Sequence, residues 1–292
     1  MEVKLLGPLS ALQNHVDILP TADKPRQIFA VLALNPNKIV PAHVLIEEVW
    51  GERPPRSAGT TLQTYILQLR KKLAVALGAD SWAGPKDVLA TRNGGYVLAA
   101  PAGTRDLDGF ERLSREAGLA ADPADAYALF NDALALWRGP ALADVPVGYT
   151  LEREVVRLEE RRMKALYERN EVGLRLGLHL DLLSELASLA MHNPMDESLH
   201  AQYIVALYRA GRIFDALEAY RRLRKTMVEE LGLEPSARLR RLQQAVLAAA
   251  PELEPPTGRH RSHTRPAPAT PSTWVCAFCS ALSAGAGVPT LA

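Results

Sequence analysis

Arg70, Lys71 and Lys72 stand in a row, and Thr61, Thr64 and Gln68 precede them on the same short stretch. Hydroxyls and an amide can address base edges, while ammonium and guanidinium groups clamp phosphates. The same cations also suit an ordinary surface helix, whose dipole favours positive charge at its C-terminal end. A further cation, Arg92, directly precedes Asn93-Gly94-Gly95 and Tyr96. The rest of the chain offers little to an enzyme. It has no G-x-x-x-x-G-K-[ST] loop, no G-x-G-x-x-G after a strand, no H-E-x-x-H and no G-x-S-x-G. His15, His43, His179, His192 and His200 are scattered. We therefore expect no catalytic residues and no cofactor. His260 and His263, with Cys276 and Cys279, have the spacing of zinc ligands. The segment between the two pairs carries three prolines and almost nothing apolar to fold around a metal, so no metal site is expected.

The charge is unevenly spread. Residues 1–103 hold 11 Lys/Arg against 8 Asp/Glu, and residues 104–250 hold 20 against 23. A mildly basic front on a mildly acidic body is compatible with a nucleic-acid partner at the front. The start MEVKLLGPLSALQ lacks a charged residue followed by a sustained apolar run, so no signal peptide is expected. No apolar stretch approaches the ~20 residues of a membrane span. Both cysteines lie near the C-terminus and imply no disulfide framework. These features read as a soluble cytoplasmic protein.

The candidate residues need elements to position them. From Ser57 to Leu77, the residues Leu62, Ile66, Leu69, Leu73 and Leu77 recur at steps of three and four, the signature of an amphipathic helix. Thr61, Thr64, Gln68, Lys71 and Lys72 fall on its other side, with Arg70 at the border. Leu67 is unexpectedly apolar for that face; it can meet a thymine methyl or pack against the hairpin at Val88–Leu98. Upstream, Val3–Leu6 and Val16–Leu19 read as strands of a small antiparallel sheet. Pro25–Leu34 reads as a helix with Ile28, Val31 and Leu32 inward, ended by Asn35-Pro36-Asn37. A second helix, with Pro41 in its first turn, runs to Trp50 and stops at Gly51. Downstream, Val88–Leu98 reads as a hairpin turning at Asn93-Gly94-Gly95. Three helices and then a hairpin with a cation at its tip make the layout of a winged helix.

After residue 104 the pattern becomes helical. Gly177 and Gly211 lie 34 residues apart in similar settings, and Leu182, Leu186 and Arg175 match Ala216, Tyr220 and Arg209 at the same offset. A 34-residue period with a glycine between two helices is the tetratricopeptide signature. A fainter unit spans Phe110–Trp137, with Ala126 and Phe130 in corresponding places. In Trp137-Arg138-Gly139-Pro140 the indole reads as a core anchor that pins the following loop. The Arg/Glu run from Arg153 to Arg169 reads as a solvated face, with a surface facing a partner protein or a second copy as the alternative. From Pro251 onward the sequence is rich in Pro, Ser and Thr and reads as a flexible tail.

TLQTYILQLRKKL followed by TRNGGY resembles the response-regulator type of winged-helix DNA-binding domain. With KPRQIFAVLALNPNKIV, EEVWGERPPRSA, DLDGFERL and ALALWRGPALADV, the chain over residues 1–250 resembles the SARP family of actinobacterial antibiotic regulators. The fold this implies is an α+β winged helix-turn-helix domain (1–103), an all-α tetratricopeptide-like bacterial transcriptional activation domain (104–250) and a disordered tail (251–292). By the same resemblance, Thr60, Thr61, Thr64, Tyr65, Gln68, Arg70, Lys71 and Lys72 of the recognition helix, with Arg92 and Tyr96 of the wing, are the DNA-binding candidates. Tyr96 would either pack against the helix or touch phosphate. Gln68 departs from the Arg that relatives often carry there, and Gln suits adenine where Arg suits guanine. The implied partners are double-stranded DNA bearing direct repeats, RNA polymerase, and a second copy of the chain on DNA. The implied function is activation of a secondary-metabolite gene cluster. A ligand-responsive repressor and a helical-repeat adaptor that does not bind DNA are the alternatives.

Overall fold

The computed structural model of the chain describes residues 1–78 and 84–254. They divide into two compact units. The first comprises residues 1–114 and 132–163, and the second residues 115–131 together with those from 164 onward.

The first unit opens with an antiparallel sheet in the order β1 (Glu2–Lys4), β2 (Ser10–Gln13), β3 (Val16–Asp17). The expected strands shift and shorten. Leu5 and Leu6 leave the ladder because their N–H groups donate to the Asp106 carboxylate, at 2.8 and 3.0 Å. Leu19 leaves β3 because its N–H donates to Asp17 Oδ1. β2 is a further strand between the two expected ones. Three helices follow: α1 (Asp23–Leu34), α2 (Ala42–Trp50) and α3 (Ala58–Leu77). Ile28, Val31 and Leu32 are buried as their spacing requires. Pro41 is not inside α2. It belongs to a two-residue strand, β4 (Val40–Pro41), and stands at the N-cap of α2 with ψ near 145°.

A short helix, α4 (Pro85–Val88), leads into the hairpin β5 (Leu89–Arg92) and β6 (Gly95–Leu98). Asn93 and Gly94 both take positive φ, 42° and 75°, the two-residue turn that an Asn-Gly pair favours. β6 is the centre of a three-stranded sheet in the order β4-β6-β5. Val40 and Pro41 pair with Tyr96 and Gly95, and Gly95 sits where β4 crosses most closely. A Cβ there would overlap the Val40 carbonyl oxygen and lie 2.9 Å from the Ile39 side chain.

Much of the 104–163 stretch packs into this same unit. It includes α5 (Asp106–Leu119) up to residue 114, the end of α6 (Pro123–Ala135) and the start of α7 (Tyr149–Arg175). Arg138 N–H donates to the Leu6 carbonyl, Leu142 N–H to the Leu5 carbonyl, and Leu9 N–H to Asp144 Oδ1. Trp137 is 5% exposed and meets the Phe110 ring edge-on at 5.5 Å, with the Arg162 guanidinium 4.9 Å above it. The anchor read from W-R-G-P therefore holds the loop that grips residues 5–9. Glu48 of α2 is buried at 2% exposure. Its carboxylate accepts from the N–H groups of Gly148 (2.6 Å), Thr150 (2.7 Å) and Leu151 (3.2 Å), and Gln27 donates to it from α1. The first N–H groups of a helix have no partner within it, so Glu48 caps α7 from about a hundred residues away in the chain.

The second unit is helical: α8 (His179–His192), α9 (Glu197–Arg209), α10 (Ile213–Leu231) and α11 (Ala237–Leu247), with the later part of α7. Gly177 and Gly211 take φ of 80° and 75°. Just past each glycine a backbone N–H reaches back to close the helix end, Leu178 to the Gly173 carbonyl and Arg212 to the Leu207 carbonyl. This is the left-handed glycine cap that ends many helices. Leu182, Leu186, Ala216 and Tyr220 are buried at matching places, which accounts for the 34-residue period. The paired arginines differ: Arg175 is exposed, whereas Arg209 donates to the carbonyls of Leu253 and Leu174. Of the fainter unit, Phe110 and Trp137 pack in the first compact unit, and Ala126 and Phe130 belong to the second. Pro251–Leu253 forms a 3-10 turn with Leu253 buried. The rest of the expected tail, with His260, His263, Cys276 and Cys279, lies outside the described residues.

His200 of α9 is buried, and neither ring nitrogen has a hydrogen-bond partner among the described residues. Burial pushes its imidazole below the usual range; the nearby Ala190 carbonyl and Asp196 carboxylate oppose this in part, while Arg222 adds to it. The folded state therefore binds the proton more weakly than the unfolded chain, so this contribution to stability is lost as pH falls below the unfolded value of about 6.5. Melting temperature is expected to drop between pH 7 and 5, with a shallower drop in His200→Gln; equal slopes would contradict the assignment.

Candidate nucleic-acid interface

α3 buries Leu62, Ile66, Leu69 and Leu73, each 1% exposed. At about 100° per residue, the direction opposite that stripe runs through Thr60, Thr64, Leu67 and Lys71, and Gln68 stands beside it. Thr60, Thr64, Gln68 and Lys71 are exposed; Thr61 and Lys72 are half-buried at the margin. The hydroxyls of Thr61 and Thr64 donate to the carbonyls of Ser57 (2.9 Å) and Thr60 (3.1 Å). Their hydrogens are thereby committed to the helix, which leaves each threonine its methyl group and its acceptor lone pairs.

Arg70 stitches α3 to the wing. Its Nε donates to the Leu89 carbonyl and its Nη2 to Thr91 Oγ1, both at 2.9 Å. This fixes the spacing between Lys71 on the helix and Arg92 on the hairpin. Arg70, Lys86, Ala90, Thr91 and Arg92 line an open concavity of about 290 Å³. Lys86 escapes a reading of the sequence because it belongs to no periodic stretch; only the fold carries it beside Arg92. Among the described residues, no carboxylate forms an ion pair with Lys71, Lys72, Lys86 or Arg92. Uncompensated cations of this kind attract a polyanion.

Two aromatic candidates face elsewhere. Tyr96 is 7% exposed, buried in β6 opposite Val40 and Thr91. Tyr65 is half-buried and stacks on Trp50 with centroids 6.2 Å apart and planes 14° from parallel; Lys24 Nζ lies 5.2 Å from the Trp50 ring. The structure thus turns Thr60, Thr64, Gln68, Lys71 and Arg92 toward solvent, and uses Tyr65, Arg70 and Tyr96 to hold them. Leu67 is 52% exposed, so about half of it stays open to solvent. Among the described residues, no helix is long and apolar enough to cross a membrane.

Known proteins resemble this chain over most of its length. Residues 19–98 match the family described as transcriptional regulatory protein, C terminal, and residues 105–247 match the bacterial transcriptional activator domain. The chain is 49% identical over 257 residues to the regulatory protein DnrI of Streptomyces peucetius, covering 87% of this chain and 94% of DnrI. It is 34% identical over 269 residues to the transcriptional regulator RedD of Streptomyces coelicolor, covering 91% and 76% of the two. The match to the regulatory protein AfsR of Streptomyces griseus is 35% over 255 residues and spans 86% of this chain and 25% of that longer protein. Among solved structures, Mycobacterium tuberculosis EmbR in complex with a low-affinity phosphopeptide aligns with a TM-score of 0.78 at 31% identity, over 86% of this chain and 65% of that one. The chain belongs to the SARP family: it is a transcriptional regulator that joins a winged-helix region to a helical bacterial transcriptional activator domain.

Proposed function

We propose that this protein is a sequence-specific, DNA-binding activator that lays α3 in the major groove and reaches the adjacent minor groove with Arg92. The observation that carries this reading is the outward face of α3, with Lys71 exposed and held at a set distance from Arg92 by the Arg70 bonds to β5. A helix fits the width of the major groove, and the negative potential of a narrow minor groove attracts an arginine. Thr60, Thr61, Thr64 and Gln68 meet base edges, and Lys71 and Lys72 meet phosphates.

Two protomers bind side by side on direct repeats near a promoter, recruit RNA polymerase and switch on a secondary-metabolite gene cluster in the cytoplasm. The family membership supports the regulatory role, and the resemblance to antibiotic regulators supports the target class. Footprinting upstream of neighbouring biosynthetic genes, with and without polymerase, tests this. The expected result is two protected repeats spaced by about one helical turn, roughly 10–10.5 base pairs, with protection extended when polymerase is added. Uniform protection without repeats, or none, would overturn it.

A further inference from the structure

We propose that Leu67 reads the C5-methyl group of a thymine, making apolar contact a determinant of operator choice. The inference rests on the DNA-binding reading above and deepens it.

Leu67 stands at the middle of the outward face of α3, between Thr64 one turn before and Lys71 one turn after. A leucine there does not belong to the core, since it is 52% exposed while the core stripe is 1% exposed. The neighbouring threonine does not supply a hydroxyl hydrogen, because Thr64 donates its own to the Thr60 carbonyl. The centre of this face therefore presents aliphatic carbon flanked by a phosphate-seeking cation. In the major groove, the feature that complements aliphatic carbon is the thymine methyl, which cytosine and purines lack. A methyl contact also fits the geometry of the helix: Lys71, one turn on, sets the register on the backbone without supplying sequence information.

Uracil in place of thymine deletes that methyl and leaves base pairing intact. The probe is a duplex selected by the full chain from a random-sequence pool, with each thymine of the selected site replaced in turn by uracil. For the wild type, replacement at one thymine per half-site is expected to weaken binding about fourfold, the effect of one buried methyl. Leu67→Ala is expected to bind the thymine duplex more weakly by a similar factor and to be indifferent to uracil at that position, because the partner of the methyl is gone. A circular dichroism melt checks that Leu67→Ala remains folded, as expected for a half-exposed helix position where alanine is a good helix former. Binding by the wild type with no uracil-sensitive position overturns the Leu67 assignment and leaves the DNA-binding reading standing. Equal sensitivity in wild type and Leu67→Ala does the same. Failure of the pool to enrich any sequence overturns both.

Discussion

Glu48→Ala is expected to lower stability by about 3 kcal/mol, which for a protein of this size is a fall in melting temperature of about 6–12 °C. The carboxylate accepts three backbone N–H groups at the start of α7, and the residue is 2% exposed. Truncation leaves those donors without the partner they have in the fold, each worth about 1–3 kcal/mol where water cannot replace it. Gln27 is deprived of one of its two acceptors as well, keeping only the Glu48 backbone carbonyl. Glu48→Gln should fall between the two, since an amide oxygen can still accept from Thr150 and Leu151 while its NH2 group opposes the Gly148 N–H. Thermal denaturation of the three proteins checks the order. A fall in Glu48→Ala of less than about 2 °C, under 1 kcal/mol for a chain of this length, would show that Glu48 does not cap α7.

Gly95→Ala is expected to separate β4 from β6 and to cost about 2–4 kcal/mol, with more than about a tenfold fall in DNA affinity as the wing is displaced. The added carbon would overlap the Val40 carbonyl oxygen and sit 2.9 Å from the Val40 carbonyl carbon. Neither can retreat freely, because Val40 and Pro41 are registered against Tyr96 and Gly95. Gly94→Ala is the informative comparison. There the Cβ meets nothing within 4 Å, but φ is +75°, so the cost is backbone strain alone, about 1–2 kcal/mol. Hydrogen exchange at the β4–β6 ladder separates the two cases: Gly95→Ala should expose it, and Gly94→Ala should leave it protected. Intact ladder protection in Gly95→Ala would contradict the packing argument.

These two positions also mark what can be read from the sequence. α3 is legible because its apolar stripe has a period that only a helix satisfies, and the hairpin is legible because Asn93-Gly94 names its own turn. β4 is not legible. Two residues carry no alternation, and Val40–Pro41 is a strand only because β6 lies beside it. Glu48 looks like any acidic residue on a helix; its role comes from backbone donors about a hundred residues later, which no local pattern encodes. The grip of residues 5–9 by Asp106, Arg138 and Asp144 is equally non-local, and it shortens the first strand. In the candidate site, charge and spacing find Lys71 and Arg92. They cannot separate the residues that face solvent from Arg70 and Tyr96, which brace the wing from within.

The proposed binding mode depends on Lys71 and Arg92 engaging one duplex together, Lys71 at a phosphate and Arg92 in the minor groove, each neutralising about one phosphate charge. The direct measurement is the dependence of the binding constant on salt for the wild type and for Lys71→Ala/Arg92→Ala, with melting temperatures compared alongside. The expected result is a salt slope shallower by about 1.8, or about 0.9 for each phosphate no longer neutralised, at an unchanged melting temperature. An unchanged slope and affinity in a folded double variant would contradict it.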